Sequence, residues 1–483
     1  MRPSCRHLYL SVLFLLVVFA PSAAAEYRQI SAAIDVRTVY SDGDLTVEGL
    51  VRLARKRGFQ AVFFSDHDRL VMEYGLFPLR HLIKRRESLN SIHQMGAGAY
   101  LSDIREAARR HPDMVLIPGC ESAPYYYWTG SYFTGDLTAH DHEKRLLALG
   151  LDRAEDYEDM PVVHNGFSFR YIGTVAPRLL LFAGAFIIGV MMFRESNRLL
   201  RTSGIFLCAA ALLLAINTMP FRSSPFDPYM GEKGIAPYQL YIDYVTSRGG
   251  MVFWNYPETH AGVRPLGPIR LDTPPYPEVL EAAAGYTGFA AVYGDTSTVT
   301  EPGREWDRVL LAYCRGQRQR PVWGIATADY HSEKGAGGAL GNFPTVLLVE
   351  EMTEKGVLQA MRVGRMYAVL GRYPQRLVLD EFTASGKEQE ERVVLGQEID
   401  LETVPEIRIS VSAKVPTESP VSVRLIRGGD VIGAFQATLP FRAALVDEKC
   451  PRGEKTYYRL DVRGKETGIL VSNPVFVTVR RPG

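Results

Sequence analysis

The chain has 483 residues, 46% of them hydrophobic, and its 55 Lys and Arg against 54 Asp and Glu leave a formal net charge of +1. That length and apolar content suffice for two or three compact units. Near-neutral charge removes the electrostatic case for nucleic acid, and the five cysteines (Cys5, Cys120, Cys208, Cys314, Cys450) lack the paired spacing of a disulfide framework.

Residues 1–25 begin with Arg2, Arg6 and His7, continue through the apolar run Leu8–Ala20 and end on Ala23-Ala24-Ala25. This is the order of an export signal peptide, with an uncleaved anchor as the alternative. Either way, Glu26 onward is expected outside the cytoplasm. The polar run from Asp35 through Arg37, Thr38, Ser41 and Asp42 to Gly43 precedes Leu50–Gly58, where Leu50, Leu53 and Ala54 share one side and Gly58 marks a helix stop. Gln60–Phe64 reads as a buried strand that delivers Asp66 and His67 from its C-terminal end. Strand, turn, helix, strand, turn makes one βα unit with ionisable groups at the strand mouths, where α/β barrels keep their chemistry.

Ser88–Arg110 is expected as a helix pair broken at Gly96 and Gly98, followed by strand Met114–Pro118 and Glu121. The aromatic stretch Tyr125–Phe133 is expected as a packed loop over the mouth, ahead of a ring-binding platform, and Leu146–Gly150 as a strand. Two apolar segments, Ile172–Phe193 and Gly204–Phe221, then come near the ~20 residues a bilayer requires. The basic turn Arg194–Ser203 between them belongs on the cytoplasmic side by the positive-inside rule, so the chain returns to the outer face. A buried helical hairpin in a soluble protein is the alternative. Helix Tyr238–Arg248, strand Gly250–Trp254, strand Val322–Ala326 and then Asp329 and His331 follow. Gly335-Ala336-Gly337-Gly338 is expected as a flexible loop beside the site, and Gly356–Gly364 as a closing helix. From Leu377 the texture changes to short alternating runs: Ile407–Val411, Val421–Ile426, Val431–Phe435, Tyr457–Val462 and Ile469–Thr478. They predict an antiparallel β-sandwich of about 100 residues.

The two opening runs resemble motifs of the polymerase and histidinol phosphatase (PHP) family, which usually read His-x-His-Thr-x-x-Ser-Asp-Gly and then Thr/Ser-Asp-His. Thr38, Ser41, Asp42, Gly43, Asp66 and His67 match; Asp35 and Arg37 stand where the family has its two histidines. Ile117-Pro118-Gly119-Cys120-Glu121 resembles the family's strand ending in Gly-x-Glu. Gly249–Glu258 resembles the strand that ends in His-Pro, and Gly324–His331, with Asp329-Tyr330-His331 at its end, the closing Asp-x-His. The resemblance covers roughly residues 30 to 375 and implies an α/β fold, a distorted (β/α)7-type PHP barrel. The resulting order is the signal peptide, barrel halves over 26–171 and 222–376, a transmembrane hairpin over 172–221, and a C-terminal β domain over 377–483.

In three-metal members of that family, the first metal takes the His-x-His pair, the Gly-x-Glu carboxylate and the Asp of Asp-x-His. Carried over, these are Asp35, Arg37, Glu121 and Asp329. An arginine has no lone pair to give and stays protonated. The second metal shares Glu121 and adds two histidines whose positions look like Arg145 and Tyr256, with His140 or His142 and His260 as stand-ins. The third takes Asp42, His67 and His331, a set that suits one divalent Zn, Mn or Fe ion, with Asp66 expected to orient His67 from behind. The alternative for Asp42 is a helix cap. Arg37 and Arg145 are thus expected to supply the charge of two missing metals, or to bind an anion. Two functions compete: a membrane-tethered PHP-like protein that binds an anionic ligand or a partner protein, and a metal-dependent hydrolase of phosphoesters or related esters using Asp42, His67 and His331.

Overall fold

The structure, a computed structural model, describes residues 27–481 apart from 260–261, 296, 335–338, 388 and 390. The expected export signal, the glycine loop over 335–338 and His260 lie outside the described residues.

Strand β1 (Arg28–Val36) pairs in parallel with β2 (Ala61–Phe64), with a register shift between Ile34 and Val36. Between them α1 (Val47–Lys56) buries Val47, Leu50, Val51 and Ala54 against the sheet. Thr46, not Asp42, caps this helix, its hydroxyl accepting from Gly49 N at 3.2 Å. A hairpin of β3 (Leu70–Gly75) and β4 (Lys84–Leu89) leads to α2 (Ile92–Met95) and α3 (Ala97–Arg110). The expected helix pair therefore starts later, because Ser88 and Leu89 are held in the hairpin ladder; it breaks at Gly96, while Gly98 lies inside α3.

Strand β5 (Val115–Ile117) borders β2, and after Pro118 β6 (Gly119–Ser122) opens a second sheet. Gly119 is required at this corner: a Cβ would lie 2.6 Å from Ala148 O and 2.8 Å from Phe64 O, where the two sheets approach. The aromatic stretch forms β7 (Tyr127–Thr129), paired with β8 (Thr138–His140), in place of a plain loop. Strand β9 (Arg145–Leu149) precedes α4 (Ala154–Glu158).

Helices α5 (Ile172–Phe193) and α6 (Arg198–Asn217) have mean hydropathies of 2.0 and 2.1, are long and apolar enough to cross a membrane, and stand largely exposed. Asn197 caps α6 by accepting from Leu199 N and Leu200 N, so the helix begins before the expected Gly204 and the basic turn narrows to 194–197. It also ends at Asn217, short of Phe221 and ahead of Pro220.

The chain resumes with α7 (Ala236–Ser247), β10 (Met251–Asn255), the hairpin β11 (Gly262–Leu266) and β12 (Ile269–Thr273), and α8 (Val279–Ala282). Then come β13 (Gly288–Val292), α9 (Glu305–Cys314), β14 (Trp323–Ala326), β15 (Pro344–Val349), α10 (Glu354–Arg362) and β16 (Met366–Leu370). The strands expected to form one barrel lie in two sheets, one containing β15-β1-β2-β5 and the other β14-β13-β10-β9-β6. Two isolated bridges link the sheets, His67 with Glu121 and Val36 with Tyr330.

The C-terminal strands are not a detached unit. Gly468–Ser472 pairs with β16, extending the first sheet to eleven strands, and a four-stranded sheet that includes Leu377–Gly386 and Pro405–Ala413 covers it. Leu379, Ile409, Leu425, Leu460 and Val477 fill the space between. The pairing is not wholly antiparallel, since Glu398–Leu401 runs parallel to Val475–Val479. The expected strand Ile469–Thr478 is broken at Asn473-Pro474: proline cannot donate to a ladder. The Asn473 side chain instead accepts from Gly324 N at 2.7 Å and donates to Gly324 O and Met366 O at 3.0 Å.

A buried ion pair fastens this region to α9. Arg459 donates to Asp307 at 2.7 and 2.8 Å, both side chains are inaccessible, and Tyr457 donates to the same carboxylate at 2.7 Å. Asp307→Ala strands the guanidinium and should lower unfolding free energy by about 3–5 kcal/mol in urea titration; a loss under about 1 kcal/mol would mean the pair does not hold the two parts together.

Candidate functional site

The ends of β1, β6, β9, β10 and β14 converge. Three non-glycine residues there have left-handed backbones: Asp35 (φ 64°), Tyr256 (φ 47°) and Asp329 (φ 45°). Such conformations cost of order 1–3 kcal/mol each and persist only where the surroundings impose them. The turn after β1 is held by Asp66, which accepts from Thr38 N at 2.8 Å, Thr38 Oγ1 at 2.9 Å and Ser41 Oγ at 2.7 Å. Its carboxylate is thereby occupied, so Asp66 does not orient His67 as expected. Gly43 closes that turn; a Cβ there would fall 2.3 Å from Arg37 O.

Arg37 lies at the centre, 1% exposed. Its Nη2 is 2.6 Å from Glu121 Oε2 and 3.7 Å from Asp35 Oδ1, its Nη1 is 3.1 Å from Asp329 Oδ1, and its Nε is 3.9 Å from Asp42 Oδ1. Arg145 Nη1 reaches the same Glu121 Oε2 at 2.7 Å. The other Glu121 oxygen accepts from Asn255 Nδ2 at 2.7 Å, and that amide also donates to Asp35 Oδ2 at 3.0 Å. Tyr256 OH donates to Asp35 Oδ2 as well. Asn255 is the member that sequence reasoning missed; the available signal was a polar residue ending an otherwise apolar strand just before Tyr256-Pro257.

Asp42 Oδ2 stands 3.5 Å from His67 Nε2 and 3.3 Å from His331 Nε2. His67 Nδ1 faces Glu121 Oε2 at 3.4 Å. His331 Nδ1 donates to Asp329 O at 2.8 Å, and Arg37 Nη1 is in contact with its Nε2. Of the two stand-ins for Arg145, His140 turns away to Asp272 at 3.1 Å, whereas half-buried His142 shares a cavity of about 20 Å3 with His67 and Arg145.

Burial works against ionisation of Glu121, but Arg145 and then Arg37 outweigh it and hold the carboxyl below its ordinary range. Asp35 moves the other way: burial raises it, against the pull of Arg37. Burial also opposes charge on Asp42, yet contacts with His331 and His67 keep it well below the usual carboxylate range. Burial, with Arg37 beside it, lowers His67 to about 4, so that imidazole is neutral at pH 7.

Guanidinium N–H groups face Glu121 Oε2 and Asp329, and an amide N–H faces Glu121 Oε1. The third set is spaced like ligands about 2.1 Å from a shared ion, which stand about 3.4 Å apart. Arg37 Nη1 also contacts His331 Nε2 in that space. Among the described residues no three His, Cys, Asp or Glu side chains form a metal-holding group.

No protein-family model matches the chain, and no curated protein does. Among solved structures the chain is similar to a two-domain protein from Bacteroides vulgatus containing a predicted PHP-like metal-dependent phosphoesterase, at 11% identity over 90% of this chain and 91% of that one, with a TM-score of 0.35. It is also similar to a candidate metal-dependent phosphoesterase from Bifidobacterium adolescentis, at 19% identity over 64% and 90% of the respective chains, with a TM-score of 0.29. With TM-scores this low, the site's own geometry is the basis for a functional reading.

Asp68, beside His67, gives a pH signature. Burial raises it to about 7, against the pull of Arg69. Between its unfolded value near 4 and about 7 the folded chain keeps a proton that the unfolded chain has lost, so this group's contribution to stability falls as pH rises. The melting temperature of Asp68→Asn should therefore gain on that of the wild type from pH 4 to 7; a constant difference would place the Asp68 proton elsewhere.

Proposed function

We propose that this chain is a PHP-like protein, tethered to a membrane by α5 and α6, in which arginine side chains replace two of the family's three metal ions. The observation that carries this reading is the Arg37 guanidinium, buried between Glu121 and Asp329 at 2.6 and 3.1 Å. Buried carboxylates require a countercharge in contact. In the family metal ions supply it; here two guanidiniums do, and charge-assisted hydrogen bonds make the exchange durable. With both Glu121 oxygens engaged, the bridging nucleophile of multinuclear members has no seat, and catalysis of that kind is impaired or lost.

The order along the chain is the export signal over 1–25, PHP-like parts over 26–171 and 222–376 on either side of the 172–221 hairpin, and the β region over 377–483. The main parts lie on the extracytoplasmic side, periplasmic if the source is bacterial. Function then rests on binding an anionic small molecule or a partner protein, with no role for nucleic acid. Arg37 is enclosed by carboxylates and acts as the metal's replacement; Arg145, 18% exposed, is the one able to meet a ligand.

One observation favours a second reading, an active hydrolase: Asp42 Oδ2 lies within 3.5 Å of both His67 Nε2 and His331 Nε2. A Zn, Mn or Fe ion held by these three would supply an activated water for phosphoester or ester cleavage. In that case Arg145 would orient the anionic substrate.

The full-length protein, purified without chelator, should hold fewer than two tightly bound divalent ions per chain by elemental analysis; two or more refute the arginine-for-metal reading. Arg37→Met should cost about 3–5 kcal/mol by leaving buried acids without a countercharge. Arg37→His should recover stability on adding Mn or Zn, by about 2.7 kcal/mol at a hundredfold excess over Kd; no metal-dependent rise in melting temperature would count against the reading. A phosphoesterase screen with Mn should give no turnover, whereas turnover abolished by His67→Ala would establish the hydrolase.

A further inference from the structure

A second cationic cavity lies apart from Arg37, where the apolar helices join the rest of the chain. The segments leading into α5 and out of α6 pair at Phe167 and Arg222, and Phe167 stacks on Phe221 with ring centroids 4.6 Å apart. The end of α6 is tied to the loop between β3 and β4. Asn217 Oδ1 accepts from His81 N at 2.9 Å, and its Nδ2 donates to Pro78 O at 3.1 Å. Between these contacts is a cavity of about 520 Å3. Arg69, Lys84, Arg86 and Arg222 line its wall, and Ile216, Met219, Phe167 and Phe221 line it on the helix side.

The charges in this cavity do not balance. Its acids are Glu73 and Asp227. Glu73 is taken by Lys84 at 2.9 Å and His164 at 3.1 Å; Asp227 is taken by His81 at 3.1 Å, with Arg222 at 4.0 Å. Arg69 is 8% exposed and donates to a neutral partner, Asn165 Oδ1, at 2.6 Å, while its Nε is buried without any partner. Among the described residues Arg222 Nε is likewise buried without a partner, although its Nη2 donates to Thr174 at 3.3 Å, and Arg86 has no ion-pair partner. Guanidinium groups short of countercharge in a half-enclosed space call for an anion, and their planar forks match the oxygens of a phosphate.

The apolar side separates a lipid from a free anion. Inorganic phosphate gains nothing from Ile216, Met219 and two phenylalanines, whereas a lipid does, and α5 and α6 would present these groups at the edge of a bilayer. We propose that this cavity binds the phosphate headgroup of an anionic membrane lipid from the leaflet next to α5 and α6. Arg69, Arg86 and Arg222 hold the phosphate, and the acyl chains run over the phenylalanine pair onto the exposed apolar surface of the helices. The volume lies within the ~300–1,000 Å3 usual for small-molecule pockets, enough for a headgroup while the chains stay in the bilayer. The inference rests on reading α5 and α6 as a membrane hairpin.

The test uses the full-length protein in detergent, titrated with phosphatidylglycerol or phosphatidylcholine and read by native mass spectrometry, with flotation on vesicles of the same lipids in parallel. Phosphatidylglycerol should bind at least about tenfold more tightly than phosphatidylcholine, and Arg86→Glu with Arg222→Gln should abolish that preference. Arg86→Glu alone, at an exposed position, should weaken the preference with an unchanged melting temperature. Flotation of all variants should be unaltered. If the wild type floats but binds both lipids equally, or if inorganic phosphate displaces phosphatidylglycerol at equal concentration, the headgroup site is overturned. If the wild type does not float at all, the hairpin reading itself fails.

Discussion

The contact between Arg37 and the Glu121 carboxylate sets the terms for the rest of the site. Glu121 is fully buried, and an isolated carboxylate in that position would cost several kcal/mol. Two guanidiniums meet one of its oxygens, and an amide meets the other. The remaining acids differ in how they are accommodated. Asp42 and Asp329 keep 39% of their side-chain surface open to water, while burial favours the protonated form of Asp35 beside Tyr256 and Asn255. Two fixed positive charges therefore suffice where a metal cluster would bring more, because one acid need not ionise and two others are partly hydrated.

Backbone and side chain support one another here. The left-handed residues Asp35, Tyr256 and Asp329 sit at the ends of β1, β10 and β14 and all lie beside Arg37 in the network. Strain of this kind is retained when the contacts it permits outweigh it. Among the contacts between the two sheets are the bridges His67–Glu121 and Val36–Tyr330, so residues of the site also join the sheets. Hydrogen-bonded arginine spans the acids of this mouth.

Much of this was readable from residue order. The βα unit around Asp35–His67 and the two apolar helices follow from local spacing, whereas the meeting of Arg37 with Glu121 and Asp329 was legible only through the resemblance to the PHP motifs. What escaped were features set by distant partners. Lys84–Leu89 is too polar to announce a strand and is one only because it pairs with Leu70–Gly75. The continuation of the first sheet into the C-terminal region depends on Met366–Leu370 meeting Gly468–Ser472, about a hundred residues apart. Asp66 looked like a histidine's support by adjacency, yet Thr38 and Ser41, distant in sequence, claim its carboxylate first. Asn255 carried no motif of its own, and its role appears only once Asp35 and Glu121 are brought together.

Under the arginine-for-metal proposal, the space between Glu121 and Asp329 should stay filled by a guanidinium when divalent ions are supplied. Anomalous scattering from crystals grown in excess Mn tests this at the atoms concerned. The account predicts planar Arg37 density in contact with both carboxylates and no anomalous peak there. A peak within coordination distance of Glu121 and Asp329, with Arg37 displaced toward solvent, would contradict it.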